Sequence, residues 1–313
     1  MAERAFTVLS HLPIGMLGSS IEEFPELEFR DVPGEGAIPS GVRGEVLLTF
    51  MDGRPNLGAV VETGVRWIHA IGTGVDAFPF EAVGKRVLTC ARGASAVPIA
   101  EWTLAVMLAF EKRLPESWVE VPPKRWSRNE LGTLRGKTLG LVGLGGIGAA
   151  IASRALSFEM RVRACRRTRS ASPVPGVEIA PDVFDLAASA DHLVVAAPST
   201  PATQRLIGEE LLSKVKPGLH LVNIARGSLI DQDALRGALD DGRVARASLD
   251  VAEPEPVPDG HWLYTHPRVK LSPHISWHTP DTLRELLDYF VRNLRRYRTG
   301  EPLQGEVDIE AGY

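Results

Sequence analysis

A glycine-rich turn near the middle of the chain constrains the fold more than any other feature. Residues 139–142 are apolar, and Gly143, Gly145 and Gly148 follow with the spacing G-x-G-x-x-G before a helix-forming segment at residues 149–156. A strand, a tight turn and a helix in this order offer free N–H groups and close backbone approach to an anion. The pattern favours a pyrophosphate-binding turn over a simple glycine turn in another α/β unit. The predicted contacts with the dinucleotide are Gly143, Gly145, Gly146, Ile147 and Gly148.

Length and composition narrow the class of protein. The chain has 313 residues, enough for two domains, and a formal net charge of -4 that lacks the basic excess typical of nucleic-acid binding. Its apolar runs are too short to cross a bilayer, so we predict neither nucleic acid nor membrane as a partner. Cys90 and Cys165 lie far apart without C-x-x-C spacing, which argues against a disulfide framework or a metal site. The first residues lack a signal-peptide pattern, and we expect a cytoplasmic protein.

Short apolar segments alternate with helical or turn segments on both sides of a long apolar helix predicted at residues 97–114. This helix is followed by an irregular arm at residues 115–135, and a last helix is predicted at residues 280–297. The predicted strands lie at residues 5–9, 27–32, 44–50, 67–71 and 86–90 before the arm, and at residues 139–142, 160–165, 193–197, 218–224, 245–251 and 269–272 after it. This alternation is typical of parallel α/β sheets.

The sequence therefore predicts an α/β protein with two Rossmann-like or flavodoxin-like parallel-sheet domains and a cleft between them. Residues 1–95 together with 283–313 are predicted to form a discontinuous substrate-binding (catalytic) domain, to which the last helix returns. Residues 96–282 are predicted to form the dinucleotide-binding Rossmann domain, because they contain six strands around the glycine turn.

The end of the second strand of this domain indicates which dinucleotide is bound. NAD-binding domains carry an acidic residue there for the ribose 2′-hydroxyl, whereas this chain has Arg166, Arg167, Thr168 and Arg169 and no acidic residue from Met160 until Glu178. Guanidinium groups bind a 2′-phosphate well, and the alternative is a solvated basic turn. We predict that NADP(H) is preferred and that NAD(H) remains a possible cofactor.

Polar residues follow several predicted strands. In the second half these are Arg226, the acidic stretch 250–256 and His274, and in the first half a glycine turn at residues 72–76. An arginine, an acid and a histidine at neighbouring carboxyl ends could form an acid–base site with an anion clamp. Taken singly, each is also typical of an exposed arginine, an acidic loop or a capped histidine.

The ordered set of motifs resembles the D-isomer-specific 2-hydroxyacid dehydrogenase family. The resemblance covers nearly the whole chain, although the tail after Tyr297 matches no family motif, and it is carried by residues 72–76, 134–138, the glycine turn, 198–203, 223–227, 250–256 and 272–274. The arginine-bearing turn is most similar to the NADPH-dependent glyoxylate/hydroxypyruvate reductase branch. The resemblance implies a 2-keto acid reductase that transfers hydride, and a homodimer formed through the cofactor domain.

The resemblance also implies residue roles. Arg226 would hold the substrate carboxylate and polarise the keto oxygen, His274 would be the general acid–base, and Glu255, rather than Glu253, would pair with His274. Further substrate contacts are implied for Thr73, Gly74, Met51 and Trp277. Further cofactor contacts are implied for Pro198, Thr203, Ala225 and Asp250.

Two alternatives stay open at the level of sequence. One is a formate- or phosphite-type dehydrogenase on the same scaffold, although formate enzymes carry glutamine at the position of Glu255. Another is a non-catalytic nucleotide-sensing protein similar to transcriptional co-repressors, for which the chain offers no extra partner-binding insertion. His274 and His278 have a spacing that can bind zinc on a helix, but Pro273 and Pro280 flank them and no H-E-x-x-H is present, so we predict no metal.

Overall fold

The computed structural model describes residues 5–126, 130–167 and 171–313. The chain divides into two compact units, one of Met1–Ser95 with Thr279–Tyr313 and one of Ala96–His278. It returns to the first unit at Thr279, where the sequence prediction placed the return at residue 283.

In the described residues, an α-helix or a short 3₁₀ helix separates most consecutive strands. The strands are β1 (Thr7–Ser10), β2 (Glu28–Asp31), β3 (Val46–Phe50), β4 (Trp67–Ile71), β5 (Val87–Cys90), β6 (Thr138–Val142), β7 (Arg161–Cys165), β8 (Val177–Ile179), β9 (His192–Val195), β10 (Leu219–Asn223), β11 (Val244–Leu249) and β12 (Val269–Leu271). The α-helices are α1 (Leu57–Val61), α2 (Ala96–Glu111), α3 (Gly146–Ser157), α4 (Val183–Ser189), α5 (Glu209–Leu212), α6 (Gln232–Asp240) and α7 (Thr282–Thr299). Short 3₁₀ helices lie at Ile14–Glu23, Phe80–Ala82, Gly227–Leu229 and Trp262–Tyr264.

The first unit is a five-stranded parallel sheet in the order β2-β1-β3-β4-β5, which is the flavodoxin-like order. Helix α7 covers one face, because Leu286, Phe290 and Leu294 repeat every four residues and are buried on one side of it. The Phe290 ring stacks on Trp67 of β4 with 5.5 Å between ring centroids. Beyond α7 the tail runs antiparallel to β5, with a bridge between Glu306 and Thr89, and so covers the edge of the sheet.

The second unit is a seven-stranded sheet in the order β12-β11-β10-β9-β6-β7-β8, with the order reversing beside β6 as in Rossmann domains. Both sheets are parallel throughout, so the predicted fold class is confirmed. The prediction of six strands is wrong by one, because β8 adds a seventh. This strand has three residues, all at least partly exposed, so its sequence lacks the apolar run that marks a buried strand.

A buried polar chain in the second unit was not predicted. Glu111 Oε1 lies 2.5 Å from Lys137 Nζ and 3.0 Å from His192 Nε2. The other ring nitrogen of His192, Nδ1, lies 3.0 Å from His220 Nδ1. The chain ends where His220 Nε2 lies 2.9 Å from Ser248 Oγ. The Glu111 carboxylate can only accept, so His192 donates to it from Nε2. Burial raises the pKa of Glu111, but the hydrogen bonds and charges of His192 and Lys137 together lower it by more. The net shift of the Glu111 pKa is therefore downward.

The arm contains no helix or strand within its described parts, 115–126 and 130–135. Trp118 and Trp126 are 70% and 79% exposed there. The predicted homodimer stays a prediction.

Across the described ranges, every helix is too short or too polar to traverse a lipid bilayer, and no three histidine, cysteine or acidic side chains are grouped as metal ligands would be.

Candidate active site

Arg226 lies in a loop whose backbone is hydrogen-bonded to a buried side chain of the second unit. Strand β10 ends at Asn223, which is fully buried and whose side-chain amide accepts from Ala225 N at 3.0 Å and donates to Arg226 O at 2.9 Å. Both bonds shape the backbone directly before and at Arg226, whose guanidinium Nη1 donates to Ala225 O at 2.7 Å. Asn223 had no predicted role, although a polar residue ending a buried strand could have indicated one.

The Arg226 loop packs directly against the loop after β11. A Cβ added at Gly227 would lie 2.0 Å from the carbonyl carbon of Ala252, so only glycine permits this approach. The contact brings the Arg226 loop beside the stretch that continues to Glu255.

Asp250 organises the turn that carries His274. Its carboxylate is buried and accepts from Ser272 Oγ at 2.5 Å and from Ile275 N and Ser276 N, each at 2.9 Å. Its own carbonyl accepts from His274 N at 2.8 Å. The carboxylate thus points into the turn of its own unit, and the predicted contact of Asp250 with the cofactor stays a prediction.

His274 and Glu255 form the predicted pair. His274 Nδ1 lies 2.9 Å from Glu255 Oε2, and Glu255 Oε1 accepts from Ala252 N at 3.0 Å, which orients the carboxylate. Both side chains are about one-third exposed, at 36% and 38%. An ionised carboxylate can only accept, so Nδ1 carries a hydrogen and Nε2 is the atom suited to exchange a proton with a substrate.

Trp277 follows this pair in the same turn. Its indole Nε1 donates to His274 O at 2.8 Å, and the half-buried ring packs against the apolar cluster that contains Val222 and Ile224. The sequence predicted a substrate contact for Trp277; the geometry shows a contact with the backbone of His274.

The glycine turn has the shape that a dinucleotide requires. A Cβ added at Gly148 would lie 2.4 Å from Gly143 O, so this glycine lets α3 pack against the turn. Gly145 precedes the first helical residue, Gly146, and a Cβ added there would meet no atom within 4 Å. The amino end of α3, with half-buried Ile147 in its first turn, is therefore open to an anionic group. These residues fit a bound pyrophosphate.

The loop after β9 is joined to the Arg226 loop. Thr203 Oγ1 donates to Pro198 O at 2.7 Å and accepts from Thr200 N at 2.8 Å, which closes the loop on itself. Ser199 Oγ and Ser228 Oγ are 2.9 Å apart. Pro198, Thr203 and the buried Ala225, all predicted to contact the cofactor, are thus linked through neighbouring loops.

The arginine turn follows β7 directly. Arg166 is half-buried and Arg167 is exposed, while Thr168 and Arg169 lie outside the described residues. Strand β7 ends at Cys165, so this carboxyl end has basic residues where NAD-binding domains carry an acid.

The other predicted substrate residues belong to the first unit. Gly72, Thr73 and Gly74 follow β4, and Gly72 O accepts from Ala91 N at 2.7 Å. A Cβ added at Gly72 would lie 2.1 Å from Met51 Sδ, so the Met51 side chain rests on this turn while remaining 42% exposed.

Comparison with known proteins identifies the family. Residues 104–276 match the family model described as D-isomer specific 2-hydroxyacid dehydrogenase, NAD binding domain. The glyoxylate/hydroxypyruvate reductase B of Pectobacterium carotovorum subsp. carotovorum is 33% identical over 293 residues, which cover 90% of this chain and 88% of that protein. The chain therefore belongs to the D-isomer specific 2-hydroxyacid dehydrogenases, a family of oxidoreductases, and the predicted resemblance is confirmed.

Two further matches mark the extent of the likeness. The D-3-phosphoglycerate dehydrogenase of Bacillus subtilis (strain 168) is 31% identical over 254 residues, 80% of this chain, and the chain spans about half (48%) of its length. A D-isomer specific 2-hydroxyacid dehydrogenase from Xanthobacter autotrophicus Py2, solved in complex with NADPH and MES, superposes with a TM-score of 0.85 at 25% identity, covering 99% of this chain and 100% of that one.

Proposed function

We propose that this protein is an NADP(H)-dependent reductase of small 2-keto acids, of the glyoxylate/hydroxypyruvate type, that forms the corresponding D-2-hydroxy acids. The observation that carries the proposal is the 2.9 Å pair of His274 and Glu255, in a turn anchored by Asp250. The glyoxylate/hydroxypyruvate reductase of Pectobacterium and the NADPH-bound structure from Xanthobacter support the substrate class and the cofactor.

The residues divide the chemistry among them. Reduced nicotinamide, when bound, supplies a hydride to the keto carbon. The Arg226 guanidinium binds the substrate carboxylate and polarises the keto oxygen, since its planar donors suit a carboxylate. His274 Nε2 gives its proton to that oxygen, and Glu255 stabilises the imidazolium that supplies it. The backbone N–H groups of Thr73 and Gly74 are the further carboxylate donors that we propose.

A substrate panel tests the proposal. Glyoxylate, hydroxypyruvate and pyruvate are offered with NADPH and with NADH, and formate and phosphite are offered with NADP⁺ and with NAD⁺, all at fixed pH. Oxidation or reduction of the cofactor is followed by absorbance. Turnover of at least one keto acid is expected. Oxidation of formate or phosphite instead would indicate the alternative dehydrogenase, and binding of NADPH without turnover of any substrate would indicate a sensing protein.

The cofactor preference has its own prediction. Replacing Arg166 by alanine is expected to lower kcat/KM for NADPH by roughly tenfold to a hundredfold, the loss typical of one charge-assisted hydrogen bond of about 1.5–3 kcal/mol. The value for NADH should change little, because NADH lacks the 2′-phosphate. Steady-state kinetics with each cofactor measures both.

Arg161→Ala is the matched control. Arg161 begins β7 and is exposed, so this variant removes the same charge at the opposite end of the strand. The assignment of NADP(H) would be contradicted if Arg166→Ala lowered kcat/KM equally with NADPH and NADH, or if the wild type had a higher kcat/KM with NADH.

A further inference from the structure

We propose that Trp277 is a positioning residue for His274, acting through its indole N–H, rather than a wall of the keto acid pocket. The inference rests on the proposed role of His274 as the proton donor. It concerns how the imidazole is held and not which groups touch the substrate.

The backbone of His274 needs to be held. Its φ of 55° lies in the left-handed region, which residues other than glycine rarely adopt because Cβ crowds the backbone. Such a conformation costs on the order of 1 kcal/mol or more and persists where surrounding contacts determine it. The contacts on both sides of the residue therefore decide where the imidazole points.

Asp250 restrains the amide side and the residues after His274. His274 N donates to Asp250 O at 2.8 Å and to Ser272 O at 3.0 Å, while Ile275 N and Ser276 N donate to the Asp250 carboxylate. These bonds fix φ of His274 and the path of the following residues. They leave the carbonyl of His274 to be held by another group.

Trp277 supplies that group. Its Nε1 donates to His274 O at 2.8 Å, and His278 N donates to Ile275 O at 2.9 Å, which closes the turn between them. The ring is packed against the apolar cluster of the second unit, so the direction of the N–H is fixed. Indole has a single donor. A donor committed to the backbone is not offered to the carboxylate or hydroxyl of a substrate.

Loss of this bond should act on proton transfer more than on binding. With the carbonyl released, the peptide after His274 can rotate and the strained residue can relax, which moves Nε2 away from its place. A displacement of about 1 Å in a catalytic group can lower the rate by about a hundredfold. The pairing of Nδ1 with Glu255 should weaken at the same time.

Two substitutions separate the donor from the ring. Trp277→Phe keeps an apolar ring without the N–H, and Trp277→Gln keeps an N–H the same number of bonds from Cα without the ring. We expect the Phe variant to lose about tenfold or more in kcat with KM within about twofold of wild type, and the Gln variant to keep kcat within about threefold. Preserved kcat in Trp277→Phe, or equal loss of kcat in both folded variants, would overturn the proposal.

A second readout is independent of turnover. In protein with ¹⁵N-labelled histidine, long-range ¹H–¹⁵N spectra report the tautomer of the neutral imidazole, with the His274 signals assigned by their absence in His274→Gln. Wild type and Trp277→Gln should show the Nδ1–H form that Glu255 favours, and Trp277→Phe should shift toward Nε2–H. Unchanged signals in the Phe variant would count against positioning. If the wild type reduces no keto acid, the proposed function fails, and the spectra alone decide the role of Trp277.

Discussion

Replacing His274 by alanine is expected to lower kcat for keto acid reduction by about 10²- to 10⁴-fold, the range typical of losing a general acid. The keto oxygen gains negative charge as hydride arrives, and without His274 Nε2 that charge must be quenched by water. Affinity for NADPH should be retained, because the glycine turn at Gly143–Gly148 does not depend on this side chain. Steady-state kinetics gives kcat, and a fluorescence titration gives the dissociation constant of NADPH.

His278→Ala is the matched control for this variant. It makes the same chemical change four residues along the chain at an exposed position and should keep kcat near the wild-type value. Normal turnover by His274→Ala would remove His274 from the mechanism.

The free energy of unfolding is expected to fall by several kcal/mol between pH 7 and pH 5. His69 is fully buried in β4, and burial lowers its pKa from 6.5 to about 3. The unfolded chain therefore takes up a proton near pH 6.5 that the folded chain does not, so stability is lost as the pH falls through this window. By linkage, His69 alone lowers the free energy of unfolding by about 2 kcal/mol between pH 7 and pH 5.

Two more histidines act in the same direction. Burial also lowers the pKa of His220 well below its usual value, and the nearby Arg246 and Lys137 charges add to the shift. Burial, with a contribution from Arg54, lowers the pKa of His11 to about 4. His69 and His11 belong to the first unit and His220 to the second, so both units should lose stability.

Urea denaturation at pH 7, 6 and 5 measures the total loss. Hydrogen exchange of peptides that cover β4 and β10 separates the two units, because each reports the opening of its own sheet. His69→Gln should flatten the pH dependence for β4 and leave that of β10 unchanged, whereas His278→Gln, at an exposed position, should alter neither. A free energy of unfolding that stays constant from pH 7 to pH 5 would contradict the assignment of these histidines as buried and neutral.

Several features of the fold could be predicted because they depend on neighbours in sequence. The apolar runs of β3, β4, β6 and β10 mark buried parallel strands, and the spacing of Gly143, Gly145 and Gly148 marks a strand–turn–helix junction. β8 escaped prediction because it is short and partly exposed at the sheet edge, where burial does not shape its sequence.

The candidate site was predicted in its residue types but not in its supports. Arg226, Glu255 and His274 were assigned through family motifs, and their roles stay predictions. Asn223, which shapes the Arg226 loop, was assigned no role. Asp250 and Trp277 were predicted to contact cofactor and substrate, and their hydrogen bonds to the His274 turn were not predicted. Their hydrogen bonds join positions up to 26 residues apart or depend on a left-handed backbone at His274, and neither condition shows in the order of residues.

Local chemistry along the chain was sufficient to predict two α/β units and a glycine turn suited to a dinucleotide, and family motifs pointed to residues that could exchange a proton and bind a carboxylate. Periodicity and glycine spacing act over a few residues, and sequence displays them directly. Three other features depend on folding. They are the 2.9 Å pairing of His274 with Glu255, the burial of Asp250 at the His274 turn, and the buried hydrogen-bonded side chains that lead from Glu111 to Ser248. They arise because parallel strands place the ends of distant segments side by side. An unpaired buried polar group is costly, so each one hydrogen-bonds to a group on a neighbouring strand or loop that can be distant in sequence.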